Sequence, residues 1–274
     1  MAISMADIQH LRKMTGAGMM DCKNALTEAE GDFDKAIEII RKKGQAFAAK
    51  REDRDATEGC VLAATSGDFA AMVAVNCETD FVAMNADFVG MTKAILDAAL
   101  ANKPADMDAL KALKVGDRTV AELVTDRMGV TGEKMELNVF EQIAAPTVVA
   151  YIHPGNKLAA IVGFNKANID AQVAKDVAMQ IAAMNPVALV AEEVSEEIKE
   201  RELKIAREKA IEAGKPENLL DKIAEGALQK FYKEYTLLQQ EFVKNPKQTV
   251  SQYLAAYDKE LAVTAFKRFT LNAE

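Results

Sequence analysis

The sequence predicts an α+β protein with small antiparallel sheets, and three observations lead to that prediction. Good helix formers such as Ala, Glu, Lys and Met are abundant among the 274 residues, so helix should predominate. A succession of strand, short turn, strand and helix occurs twice, at 59–100 and at 147–184. A charged, amphipathic stretch at about 190–232 interrupts the second copy and predicts a pair of helices.

Residues 1 to about 50 predict a small unit of three helices. Ser4 and Asp7 have the spacing of a capping box at the start of the first helix. GAG at 16–18 and GD at 31–32 interrupt the helical period, and Gly44 is expected to end the third helix. Three short helices bury little surface, so such a unit usually serves for docking. The residues expected on the inner faces are Ile8, Leu11, Cys22, Ala25, Leu26, Ala29, Phe33, Ala36, Ile37 and Ile40.

Two adjacent methionines, Met19 and Met20, begin the second helix. Adjacent positions on a helix cannot both face the core, so at least one of these side chains should be exposed. One is expected to fill the core, as Met often does, while an exposed Met suits an adaptable binding surface.

Residues 46–58 predict a connection between this unit and the rest of the chain. Their charges alternate in sign without an apolar stripe, which is typical of a solvated segment. The beginning of the segment is a candidate for helix. Its basic residues could touch phosphate, but the neighbouring acidic residues nearly cancel their charge.

The repeated pattern predicts a duplicated core. GD at 67–68 and GN at 155–156 supply turn residues between the paired strands. Alternating segments at 134–141 and 263–270 predict a third strand in each half, and short helices are expected at 107–113 and 120–128. The predicted division is therefore 1–54 for the N-terminal unit and linker, 55–145 for the first core half and 146–274 for the second.

The interruption of the second half predicts an antiparallel helical hairpin. Its first helix is expected to start at Glu192 or Ser195, and Gly214 with Pro216 should end it. A second helix should return from 217 to 231. An interaction arm and a solvated spacer are equally compatible with this pattern.

The stretch CETDFV at 77–82 lies where a buried strand at 69–75 gives way to a helix at 85–100. A carboxylate and a phenyl ring thus stand together in a loop held by a rigid scaffold, a common place for function. Pattern alone favours the other interpretation, that Phe81 folds back into the core, as most Phe residues do.

The net charge and the cysteines indicate which partners and which cellular compartment to expect. The formal net charge of −8 disfavours nucleic acid and anionic membrane surfaces as partners. Three cysteines without a Cys-x-x-Cys pair predict free thiols in a reducing compartment. The N-terminal residues do not resemble a secretory signal, and no apolar run is long enough for a membrane span, so a cytosolic protein is expected.

The sequence offers little enzymatic chemistry, and neither a metal nor any other cofactor is expected. The phosphate-binding loop of nucleotide-binding proteins is absent from the sequence. His10 and His153 have no Cys or carboxylate at ligand spacing. Cys77 adjoins Glu78 and lies near Asp80, whose charges disfavour a thiolate nucleophile.

Two motifs in this chain resemble those of the elongation factor Ts family, the nucleotide exchange factors of the GTPase elongation factor Tu. LRKMTGAGMMDCKNAL at 11–26 is similar to the family's N-terminal signature, which EGD at 30–32 and AI at 36–37 continue. VNCETDFVA at 75–83 is similar to the second signature. The duplicated core and the hairpin also fit, so the resemblance covers nearly the whole chain.

The resemblance implies a mechanism and its residues. The N-terminal unit would be a ubiquitin-associated-type module that docks on the nucleotide domain of the GTPase. Asp80 and Phe81 would insert between two helices of that domain and disturb the Mg²⁺ bound with GDP, with Val82 and Ala83 supporting them. Some family members carry a further C-terminal helix that touches the GTPase, a contact not implied for a sequence that stops at Glu274. The other implied contact residues are Arg12, Met19, Met20, Thr79 and His153.

Two other classes remain as alternatives. A ubiquitin-associated-type adaptor would share the first fifty residues but has no need for a wedge at Asp80 and Phe81. A thiol enzyme would depend on Cys77, so that Cys77→Ser would abolish its activity, whereas an exchange factor should tolerate that change.

Overall fold

Three short helices form the N-terminal module in the computed structural model, which describes residues 3–51 and 53–272. They are α1 (Met5–Thr15), α2 (Met19–Glu28) and α3 (Phe33–Ala49). The predicted capping box is confirmed, because Ser4 Oγ accepts from Asp7 N and Asp7 accepts from Ser4 N. The predicted inner faces meet in a small core of their own, whose buried members are Ile8, Leu11, Ala17, Cys22, Ala25, Leu26, Ala29 and Ala36.

The prediction that Gly44 ends the third helix is wrong. Helix α3 continues for five more residues to Ala49, so the predicted linker begins as helix. Gly44 instead lies where α3 crosses the helix containing Gly129, and a Cβ on Gly129 would lie 2.8 Å from the Gly44 Cα. The close approach of the two backbones therefore requires glycine at 129, whereas a Cβ on Gly44 would come no nearer than 3.6 Å to the other helix. This packing outweighs the local preference of glycine for a helix end.

The first core half contains a three-stranded antiparallel sheet in the order β1-β2-β5. Its strands are β1 (Glu58–Ser66), β2 (Phe69–Cys77) and β5 (Met135–Ala144). The ribbon of β3 (Lys114–Val115) and β4 (Arg118–Thr119) lies between β2 and β5 in the chain. The helices of this half are α4 (Asp80–Ala83), α5 (Ala86–Asn102), α6 (Met107–Ala112) and α7 (Val120–Thr131).

The second half repeats this arrangement with the sheet order β6-β7-β10. Its strands are β6 (Thr147–Ile152), β7 (Leu158–Phe164) and β10 (Val263–Thr270), and α8 (Ala171–Met184) packs on the sheet. The predicted duplication and both third strands are thus confirmed. The elements β8 (Glu241–Phe242), β9 (Asn245–Thr249) and α11 (Val250–Tyr257) complete this half.

The two sheets pack against each other through small and medium apolar side chains. One face of β1 and β2 meets β6 and β7 in a shared cluster that includes Val61, Met72 and Ile161. The other face of β2 packs on α5, and this explains why every residue of the strand is buried. The predicted boundaries near 54 and 145 fall in connections between elements, and the division into domains remains a proposal.

An antiparallel hairpin of α9 (Glu196–Glu212) and α10 (Leu220–Tyr235) interrupts the second half, as predicted. Ser195 caps α9 by accepting from Ile198 N. Val194 and Tyr232 pack together at the base, and Arg207 pairs with Asp221 nearer the turn. No helix among the described residues has both the length and the apolar character needed to cross a membrane.

A buried carboxylate, Asp176, joins α8 to the elements near the C-terminus. It accepts hydrogen bonds from Lys244 Nζ at 2.6 Å, Gln172 Nε2 at 2.5 Å and Tyr253 Oη at 3.0 Å. Burial alone would raise the pKa of Asp176, but these hydrogen bonds outweigh it and lower that pKa below its ordinary value of 3.8.

Asp176→Asn is therefore expected to reduce the free energy of unfolding by about 2 kcal/mol at neutral pH. Because the folded pKa is lowered, the contribution is complete above about pH 3.8 and is lost as the pH falls further. Urea titrations of both proteins at several pH values test this. Asp258→Asn, which removes a more exposed partner of Lys166, is the control and should cost less than about 1 kcal/mol. If the loss of unfolding free energy caused by Asp176→Asn grew as the pH fell below 3.8, the account would be contradicted.

Candidate functional site

The connection from β2 to α5 contains the single helical turn α4. Thr79 caps this turn by accepting from Val82 N at 3.4 Å. Asn85 then caps α5, accepting from Asp87 N at 2.9 Å. Two capped helical starts in close succession give the loop a defined backbone without requiring its side chains to be buried.

Phe81 points into solvent, with 82% of its surface exposed. The interpretation that pattern alone favoured, a Phe folded into the core, is therefore wrong. The reason is the single turn: Val82 and Ala83 face the core, and Asp80, Phe81 and Met84 are left on the outer side. An exposed Phe lacks the roughly 2 kcal/mol of stabilisation that burial of its side chain would provide. An exposed ring on an ordered turn therefore indicates a contact surface.

Sequence reasoning missed Met84, which is 70% exposed. It follows Phe81 by three residues, a spacing that places two side chains on the same side of a helical turn. That spacing was visible in the sequence and could have identified it. Phe81 and Met84 together give the outer side of α4 an apolar character.

Glu78 holds the start of the loop by accepting hydrogen bonds from three donors. One oxygen accepts from Arg51 Nη1 at 3.0 Å and from Lys134 N at 2.6 Å, and the other accepts from Arg54 Nη1 at 2.9 Å. Desolvation would raise the pKa of Glu78, but the Lys134 N–H and the two guanidinium groups lower it to about 2. The carboxylate is therefore ionised throughout the physiological range.

Thr79 is held by Glu133, which follows α7. Its hydroxyl donates to one Glu133 oxygen at 2.6 Å, and its N–H donates to the other at 3.1 Å. Thr79 is thus half-buried and already engaged within the protein. Neither Glu133 nor the two arginines were identified from the sequence, since their partners lie far away in the chain.

Cys77 is buried under this loop, and its Sγ donates to the carbonyl of Thr79 at 3.2 Å. Burial, with the negative charge of Glu133 second, raises the pKa of Cys77 from 9.0 to about 12. At neutral pH the thiol is protonated, so the structure gives no support to a nucleophilic role.

Native-state alkylation with iodoacetamide should therefore label Cys77 far more slowly than an exposed cysteine. A pKa of about 12 in place of 9.0 reduces the thiolate fraction roughly a thousand-fold at neutral pH, and burial slows the reaction further. Mass spectrometry after timed quenching measures the labelling, with the urea-unfolded protein as the control. Comparable rates in the folded and unfolded proteins would contradict this prediction.

The second repeat brings His153 to the same end of the molecule as the loop. Asn156 O, in the turn after His153, accepts from Val61 N of β1 at 2.7 Å. Lys157 pairs with Glu58 at 2.8 Å, and this hydrogen bond, with a smaller contribution from the charge of Asp80, raises the pKa of Lys157. His153 itself is exposed, with Nδ1 3.1 Å from the hydroxyl of Tyr151.

Two of the three N-terminal candidates lie on the module's surface. Arg12 is exposed, Met20 is 64% exposed, and Met19 packs against the module core. The prediction that the two methionines divide between core and surface is confirmed. The module reaches the first core half through α3 and α7, so its position relative to the loop is set by packing.

The described residues contain no group of three His, Cys, Asp or Glu side chains placed to hold a metal ion. The arrangement around α4 is instead an exposed ring and carboxylate on a turn that is tied to two neighbouring segments, the linker and the residues after α7.

Comparisons with known proteins place the chain among its relatives. A family model described as "Elongation factor TS" matches residues 78–273, a range that begins at Glu78. The chain is 62% identical over 275 residues to a protein of Porphyromonas gingivalis named "Elongation factor Ts", with the whole of both chains covered. Proteins of the same name from Azobacteroides pseudotrichonymphae and Bacteroides thetaiotaomicron are 57% and 50% identical, again over the whole of both chains.

Proposed function

The chain belongs to the elongation factor Ts family of translation elongation factors, and from that premise we propose that it is a cytoplasmic guanine nucleotide exchange factor for elongation factor Tu. The observation that best supports the proposal is the exposed ring of Phe81 on a capped and anchored turn. An adaptor has no need for such a feature. The elongation factor Tu surface would supply the apolar slot that this ring lacks in the free protein.

In the proposed mechanism, the factor binds the GDP form of the GTPase. Asp80 and Phe81 enter between two helices of its nucleotide domain, while Val82 and Ala83 hold the turn against the core. Insertion moves the switch region and disturbs the coordination of Mg²⁺ at GDP. Because the ion neutralises the phosphates, its loss weakens GDP binding and allows GTP to follow.

The remaining contacts position the wedge. Arg12, Met19 and Met20 dock the N-terminal module, with the exposed Met20 making the direct contact and Met19 holding the helix from inside. His153 contributes from the turn of the second repeat. Thr79 acts through the cap and its hydrogen bonds to Glu133. The chain itself performs no catalytic step and uses no cofactor, and with a net charge of −8 it binds neither nucleic acid nor membrane directly.

The proposal has a thermodynamic requirement. A factor promotes GDP release at equilibrium only if it binds the nucleotide-free GTPase more tightly than the GDP form. By linkage, GDP must weaken the binding of the factor by the same ratio.

Release of a fluorescent GDP from purified elongation factor Tu tests the proposal. With excess unlabelled GDP present, the wild-type protein should accelerate release in a concentration-dependent and saturable manner. Acceleration that persists in Cys77→Ser would separate exchange from thiol chemistry. A release rate that does not change with added protein would refute the exchange function and leave the adaptor as the better hypothesis.

A further inference from the structure

The segment between the N-terminal module and the core is attached to the candidate site by ion pairs. Arg51 and Arg54 lie between α3 and β1, and their Nη1 atoms lie 3.0 and 2.9 Å from the two oxygens of Glu78. The Glu78 and Arg51 side chains are only 15% and 23% exposed. Arg51 also lies 4.6 Å from the ring centre of Phe47 in α3. Charge-assisted hydrogen bonds between partly buried groups are stronger than ordinary surface pairs. Because the Arg54 side chain is 55% exposed, the Arg51–Glu78 pair should be the stronger of the two attachments.

The same loop is attached to the end of α7. The Lys134 N–H donates to Glu78, and Glu133 accepts both hydrogen bonds from Thr79. Helix α7 is also the helix against which α3 packs. The module is therefore connected to the loop by two routes, one through the linker and one through α7.

We infer that Glu78 is a positioning residue for exchange, and that through Arg51 and Arg54 it couples the seating of the N-terminal module to the placement of Asp80 and Phe81. The inference rests on the proposed function. With the attachment intact, the position of the ring relative to the docked module is already fixed. Less entropy is therefore lost when the ring is inserted. Without it, the module still docks, but the loop samples other positions and the ring is inserted in only a fraction of the complexes.

The double variant Arg51→Ala/Arg54→Ala breaks the linker attachment and leaves the Lys134 N–H on Glu78. Neither arginine belongs to the proposed contact surface. Lys42→Ala/Lys43→Ala is the matched control, because it removes two positive charges from exposed positions of α3 that do not touch Glu78. Arg51→Lys/Arg54→Lys keeps both charges and is the conservative rescue.

GDP release is measured as a function of factor concentration for all four proteins, so that the saturating rate and the half-saturating concentration are separated. The alanine variant should lower the saturating rate roughly three- to ten-fold, the range that corresponds to the net contribution of a typical intramolecular hydrogen bond. Its half-saturating concentration should change by less than about two-fold, because the module still docks. Lys42→Ala/Lys43→Ala should match wild type, and Arg51→Lys/Arg54→Lys should recover most of the saturating rate.

Hydrogen exchange of the free protein supplies a second readout that does not involve the GTPase. Amides in residues 79–84 should exchange faster in the alanine variant than in wild type or Lys42→Ala/Lys43→Ala. Loss of folded protein alone would raise the half-saturating concentration without lowering the saturating rate, and a melting curve checks for it.

Three outcomes separate this inference from the proposed function. If wild type accelerates release and the alanine variant has the same saturating rate, the inference is overturned and the exchange function stands. Unchanged hydrogen exchange in residues 79–84 also overturns it. If wild type itself does not accelerate release, the proposed function fails and the inference fails with it.

Discussion

Phe81→Ala should reduce the acceleration of GDP release at subsaturating factor by about thirty-fold or more. A ring buried at the centre of an interface typically contributes at least about 2 kcal/mol on truncation, which corresponds to that factor. Because the ring is 82% exposed in the free protein, its removal should leave the free energy of unfolding within about 0.5 kcal/mol of wild type. Release of a fluorescent GDP, measured with a thermal melt on the same samples, tests both statements.

Ile211→Ala is the matched control for this experiment. Ile211 is also an exposed apolar residue, at 56%, but it belongs to the hairpin, outside the proposed contact surface. Its loss should leave GDP release unchanged. Equal acceleration by wild type and Phe81→Ala would assign exchange to the docking module or the second repeat. A slowed reaction with Ile211→Ala would instead show that the hairpin is part of the interface.

Gly59→Ala is expected to destabilise the fold by about 3 kcal/mol or more. Gly59 has a φ of +156°, and a Cβ there would lie 2.3 Å from the carbonyl oxygen of Val75 in the paired strand. Neither backbone can yield without opening the β1–β2 ladder, in which Gly59 faces Asn76 just before the loop. The melting temperature should therefore fall by roughly 6 °C or more, as measured by calorimetry.

Gly90→Ala is the control for the glycine experiment. Gly90 lies inside α5, and a Cβ there would meet nothing within 4 Å. Alanine at this site should therefore stabilise the helix by about 0.5–1 kcal/mol. If Gly59→Ala melted at or above the wild-type temperature, the close contact between the strands would be contradicted.

Much of the fold was predictable because its signals are local. The apolar run at 69–75, bounded by a turn, is the buried strand β2, and the period of the N-terminal helices gave their inner faces. Gly44 shows the limit of this reasoning. Glycine ends helices often enough to predict a stop, but this glycine serves a contact with Gly129, and local sequence does not reveal that contact.

The candidate site was only partly predictable. Resemblance to a family identified Asp80 and Phe81, whereas residue preferences placed the ring in the core. The exposure of Phe81 follows from α4 being a single turn with one inner side, and periodicity cannot show this over four residues. Arg51 and Arg54 were assigned to a solvated linker because their alternating charges are typical of one, and only the folded chain brings them to Glu78.

The most direct test of the proposed function is the affinity of the factor for elongation factor Tu in its nucleotide-free and GDP-bound forms. Titration calorimetry at matched Mg²⁺ concentration gives both dissociation constants, and GDP titrations with and without the factor close the thermodynamic cycle. We predict tighter binding to the nucleotide-free form, and GDP should weaken factor binding by the same ratio that the factor weakens GDP binding. Phe81→Ala should reduce that ratio. Equal affinity for the two forms would contradict the proposed function, because such a factor could not shift the nucleotide equilibrium.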